Sequence, residues 1–114
     1  MGDIAVGHSG GVMNNELKRI CDYHFIHELT QLPYIDAIYV FGSRARGDFR
    51  QDSDIDLCLV CPRITPRQWN HVEDIIEKAD TLYRIDCVRY DTIHDSKFLE
   101  NIDREKQLIY QRTD

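Results

Sequence analysis

The sequence predicts an α/β domain: a small mixed β-sheet flanked by helices, with elements in the order α-β-β-α-β-α. Three observations carry that reading. Residues 37–41 (AIYVF) and 55–61 (IDLCLVC) are short apolar runs of strand length, and 84–90 (RIDCVRY) is a third run with strand alternation. Between the second and third lies an amphipathic segment that opens on a helix-start signal. Its length suits a crossover between parallel strands.

The elements follow in order. The first dozen residues, MGDIAVGHSGGV, are glycine-rich and aperiodic, so residues 1–13 are expected to be a flexible tail before a domain at 14–114. Leu17, Ile20, Cys21, Phe25, Leu29 and Leu32 recur at helical spacing, and Pro33 ends the segment. The run 55–61 is apolar on both faces, as a central strand would be. Thr65-Pro66-Arg67-Gln68 combines an N-cap, a first-turn proline and a glutamine that closes a capping box. Trp69, Val72, Ile76, Ala79 and Leu82 extend that helix along one face to residue 82. A helix over about 95–103 and a short LIY segment complete the chain.

Size and charge bound the function. A chain of 114 residues holds one core. Its 42% hydrophobic and 30% charged residues are the balance of a soluble globular protein. No apolar run approaches the roughly 20 residues that span a bilayer. No signal-peptide pattern opens the sequence, so the cytoplasm is the expected compartment, with Cys21, Cys58, Cys61 and Cys87 reduced. The net charge of −6 argues against a nucleic-acid partner. Arg44, Arg46 and Arg50 cluster in one loop and fit a small phosphate ligand better.

Connection lengths decide what meets. The short link from 37–41 to 55–61 favours an antiparallel pair, and the crossover helix makes 84–90 parallel to 55–61. One end of the sheet therefore collects Gly42 and Ser43, Asp54 and Asp56, and Asp86. Two apart on an extended segment, Asp54 and Asp56 point to one face with α-carbons roughly 6.5–7 Å apart. Asp86 on the neighbouring strand supplies a third oxygen donor. Such carboxylates repel by on the order of 1–4 kcal/mol per pair, a cost a divalent cation relieves. An all-oxygen set favours Mg²⁺ over Zn²⁺ and suits two-metal chemistry. Gly42 permits a tight turn after the strand. The backbone N–H groups that follow, with the Ser43 hydroxyl, can cradle a phosphate, and Arg44 and Arg46 can neutralise a triphosphate tail.

Gly42-Ser43, ten residues, Asp54-x-Asp56 and then Asp86 on a later strand resemble the signature of polymerase β-type nucleotidyltransferases. The loop wording GSRARGD…SDIDL is similar to the minimal nucleotidyltransferases (MNT), the antitoxin half of bacterial HEPN/MNT pairs. The resemblance covers about residues 17–110. It implies the polymerase β-like fold, with Asp54, Asp56 and Asp86 as catalytic and metal-binding acids. It also implies ATP held at Gly42, Ser43, Arg44 and Arg46, and Mg²⁺ or Mn²⁺ as cofactor. The chain shows no second domain of the kind larger relatives use to hold an acceptor. In the minimal family a helical HEPN-type partner fills that place, and one of its tyrosines receives AMP. Two alternatives stand beside this one. The chain could be a catalytically silent nucleotide-binding antitoxin, or it could transfer to a small-molecule or nucleic-acid acceptor.

Other motifs have plainer readings. Gly7-His8-Ser9-Gly10-Gly11 matches a hydrolase nucleophile elbow but lacks the preceding strand. Cys58 and Cys61 sit three apart in a strand, facing opposite sides, and so read as buried small hydrophobes rather than a shared metal site. His24, His27, His71 and His94 read as packing or surface residues. Trp69, Tyr83 and Tyr90 read as core or partner-facing rather than base-stacking residues.

Overall fold

The helical spacing over residues 17–32 resolves into two helices, not one. The computed structural model describes residues 3–4 and 14–113. Helix α1 (Asn15–Cys21) starts at Asn14, whose Oδ1 accepts the Leu17 N–H at 2.8 Å. The chain then extends at Tyr23 before α2 (His24–Thr30) begins. What starts α2 is remote: the Asp80 carboxylate accepts the N–H groups of His24 at 3.0 Å and Phe25 at 3.1 Å. These bonds, led by that from His24, hold the Asp80 carboxyl below its usual range. The break keeps Leu17, Ile20, Cys21, Phe25, Ile26 and Leu29 all buried.

Strands β1 (Asp3–Ile4), β2 (Ala37–Phe41), β3 (Ile55–Val60), β4 (Ile85–Arg89) and β5 (Gln107–Gln111) form one sheet in the order β1-β5-β2-β3-β4. Asp3–Ile4 pairs antiparallel with β5. Otherwise the expected tail and the Gly7–Gly11 motif lie outside the described residues. As the link lengths predict, β2 is antiparallel to β3 and β4 is parallel to β3. The closing LIY segment is the body of β5, antiparallel to β2, with an irregular register at Ile38/Tyr39.

Between β2 and β3 the chain forms a short helix α3 (Gly42–Arg46) where the sequence reads as an irregular loop. Helix α4 (Pro66–Glu77) has the full capping box: Thr65 N–H donates to Gln68 Oε1 at 2.9 Å, and Gln68 N–H donates to Thr65 Oγ1 at 3.2 Å. It ends at Glu77, short of the expected residue 82, because the following segment turns to deliver Asp80 to α2. Leu82, beyond that end, is fully exposed (105%). A single 3₁₀ turn (Tyr90–Thr92) leads to helix α5 (Ser96–Glu105), capped by Asp95.

The sheet divides the apolar residues into two clusters. Helices α1, α2 and α4 supply Leu17, Ile20, Phe25, Ile26, Leu29, Val72 and Ile75 against Ile38, Val40, Ile55, Leu57 and Leu59. The second cluster is small: Phe41, Cys58 and Ile102, ringed by half-buried Tyr39, Val88, Tyr90, Ile93 and Phe98. Among the described residues no helix is long and apolar enough to cross a membrane.

Candidate functional site

Register builds the site. Phe41 pairs with Asp56 across β2 and β3, and Asp56 pairs with Asp86 across β3 and β4. Strand alternation then assigns a face. Ile55, Leu57, Ile85 and Cys87 belong with the large cluster, so Asp56 and Asp86 point to the opposite side. Gly42 follows directly on Phe41 and adopts φ +74°. A Cβ on Gly42 would lie 2.2 Å from Asp56 Oδ2. Only glycine meets both demands, the left-handed backbone and the close carboxylate.

Electrostatics agree with this geometry. The Asp56 carboxyl is pushed up to about 6, by burial first, then by the charges of Asp86 and Asp54. Asp56 therefore senses both of the other acids. Among the described residues no group of three or more His, Cys, Asp or Glu side chains is placed to hold an ion. Asp86 has a basic neighbour in Arg84, whose Nη2 lies 3.4 Å from its Oδ1. The donor set itself, three oxygen ligands with raised charge repulsion, fits a hard divalent cation.

The arginines divide. Arg46 is partly exposed at this edge, with Nε 3.2 Å from Asp48 and Nη1 3.1 Å from Glu105. Arg44, expected on a triphosphate tail, is not available for one. It is 1% exposed and paired with the buried Glu16 carboxylate. Its Nε and Nη2 donate to the Ser53 carbonyl at 3.1 and 2.7 Å, and its guanidinium stacks on Tyr83 and Phe49. Arg44 therefore braces the loop that delivers Asp54. The small residues beside it let α3 bury this side chain under the loop, where the sequence suggests an exposed basic cluster. Arg50, the third arginine of that cluster, is exposed. Ser43 stands partly exposed beside Gly42.

Two residues escape the sequence reading. Glu16 carried a faint signal, lying four residues before buried Ile20 on the apolar side of α1. Glu105 carried none: it ends α5, and its Oε1 accepts the Gly42 N–H at 3.2 Å. The thiols behave as expected. Cys58 belongs to the small cluster and Cys61 to the large one. Burial pushes the Cys58 thiol up to about 12.

Residues 24–114 match the family model described as Polymerase beta, Nucleotidyltransferase. No curated protein matches the sequence at a significant level. Among solved structures, a toxin–antitoxin with AMP-PNP aligns at TM-score 0.57 and 18% identity, over 83% of this chain and 72% of that one. A toxin–antitoxin MntA-HpeT mutant aligns at TM-score 0.55 and 19% identity, over 89% and 76%. A putative nucleotidyltransferase from Sulfolobus solfataricus aligns at TM-score 0.50 and 22% identity, over 82% and 78%. These likenesses give the fold, and the family model gives the lineage. With Gly42-Ser43 set against Asp56 and Asp86 at one end of the sheet, and residues 24–114 matched by that model, the chain belongs to the polymerase β nucleotidyltransferase family.

Proposed function

We propose that this chain transfers AMP from ATP to a hydroxyl, a tyrosine, of a small helical HEPN-type partner, as the antitoxin of a toxin–antitoxin pair. The observation that carries the reading is the register that brings Gly42, Asp56 and Asp86 to one sheet edge. The AMP-PNP complex and the MntA-HpeT pair among similar folds support both the nucleotide and the protein partner.

In this reading Asp54, Asp56 and Asp86 would hold Mg²⁺ or Mn²⁺, which when bound offsets phosphate charge and acidifies an attacking hydroxyl. Ser43 and the backbone at Gly42 position the triphosphate tail, and Arg46 balances its charge. Asp86, its side chain 44% exposed, lies toward the acceptor. It orients the attacking hydroxyl and accepts its proton. The hydroxyl oxygen bonds to the α-phosphorus as the bond to pyrophosphate breaks, so the products are the AMP-ester and pyrophosphate.

Intact-mass spectrometry of the co-purified pair tests this. The partner gains one or more AMP units with wild type and none with Asp86→Asn. ATP binding stays largely intact in that variant, because the lost interaction belongs to the transition state. A partner that is neutralised yet unmodified by wild type would sink the transfer reading and favour a binding module.

A further inference from the structure

Glu105 places a fourth carboxylate at the site, and it already holds two of the site's donors. Its Oε1 accepts the Gly42 N–H at 3.2 Å, and its Oε2 lies 3.1 Å from Arg46 Nη1. The side chain is only 17% exposed, so this contact is built rather than incidental to a mobile surface group. It joins the end of α5 to the start of α3 across 63 residues of sequence. Arg46 has Asp48 as its other carboxylate partner.

Carboxylate and phosphate offer the same thing to these donors: paired anionic oxygens that accept charge-assisted hydrogen bonds. The Gly42 N–H and Arg46 cannot serve both at full strength. Asp54, Asp56 and Asp86 stand beside them, and Glu105 adds to the negative field at Asp56. A free polyphosphate entering this edge meets four carboxylates and finds its donors taken. A polyphosphate that carries a divalent cation brings positive charge for those same carboxylates.

We propose that Glu105 is a specificity-determining residue, a resident anion on the phosphate cradle that rejects free polyphosphate and gives way to the cation complex. The inference rests on the nucleotide reading above. Its logic is discrimination by a repulsive element rather than by an added attraction.

Glu105→Gln keeps the length and an amide oxygen that can still accept the Gly42 N–H, while removing the charge. Calorimetric titration of wild type and variant with ATP and with inorganic tripolyphosphate, in EDTA and in excess Mg²⁺, tests the proposal. The variant is expected to bind the metal-free ligands about tenfold tighter than wild type, the scale of one charge-assisted hydrogen bond. Affinity for the magnesium complexes changes less. Unchanged or weaker metal-free binding overturns the proposal, because a carboxylate that assists binding would have been lost. Should Glu105→Gln fail to fold, Glu105→Asp withdraws the charge by one methylene and is expected to shift metal-free affinity in the same direction. No gain there overturns the proposal equally. If wild type and variants alike bind neither ligand with or without Mg²⁺, the nucleotide reading falls, and this inference with it. A wild type that binds the magnesium complex, beside a variant with unaltered metal-free affinity, overturns this inference alone.

Discussion

The two faces of the sheet are built for different work. One is sealed by α1, α2 and α4, with Ile26, Leu29, Leu57 and Leu59 wholly buried. The other has α5 and one 3₁₀ turn over a cluster of three buried residues, and every residue of β4 is only half-buried. The carboxylates are on the second face. A closed apolar core tolerates no such group of charges, since burying an ion without a partner costs several kcal/mol. The thick face therefore carries stability and frees the thin face to carry unfavourable charge.

The comparison can be broken by experiment, and the largest expected effect lies where charge enters the thick side. Glu16→Ala would leave the Arg44 guanidinium buried without its carboxylate. The expected loss is about 3–5 kcal/mol in chemical denaturation. A loss below about 1 kcal/mol would mean that the Ser53 carbonyl and the two aromatic rings suffice for Arg44.

Paired truncations compare the faces directly. Leu57→Ala, in the large cluster, is expected to cost about 2–5 kcal/mol. Phe98→Ala, half-buried over the small cluster, should cost about 2 kcal/mol or less. Equal losses would show that the thin face is as structural as the other.

Gly42→Ala comes next. The left-handed backbone alone is expected to cost about 1–2 kcal/mol. The new methyl must also displace the Asp56 carboxylate, so ATP binding should fall sharply in calorimetry. An alanine variant with wild-type stability and affinity would contradict the described geometry.

The smallest effect has the opposite sign. With its folded value near 6, above the unfolded carboxyl near ~3.9, Asp56 binds its proton more tightly in the folded state. Its stabilising contribution is complete below about pH 4 and is lost as pH rises through about 6. In metal-free buffer at pH 7, Asp56→Asn should therefore stabilise the fold by about 1–2 kcal/mol, after allowing for solvent screening of a half-exposed group. Urea denaturation from pH 4 to 7.5 checks it: the gap between variant and wild type must widen with pH, and a constant gap would count against it.

Much of this was legible in the sequence, and the failures share a cause. The strands at 37–41, 55–61 and 84–90 announce themselves by apolar runs, and Thr65 to Gln68 by reciprocal capping chemistry. Connection length then gave both pairings around Asp56. What could not be read depends on partners far along the chain. The break between α1 and α2 depends on Asp80, the burial of Arg44 on Glu16 and Ser53, and the occupancy of the Gly42 N–H on Glu105. Local spacing assigns Arg44 to solvent because it cannot see the carboxylate 28 positions earlier. The Gly42–Arg46 helix was missed because five residues show too little periodicity to separate a helical turn from a loop.

The cap that Asp80 gives to α2 also bears on how the chain folds. Seven residues are too few for a helix to persist alone, because nucleation is costly and the run ends before propagation repays it. The bonds that start α2 span 55 and 56 residues, so they form only after the segment beyond α4 has returned to the N-terminal half. Closures of that separation are slow. The first turn of α2 is thus expected to gain amide-exchange protection after α4 does, although it is synthesised well before it.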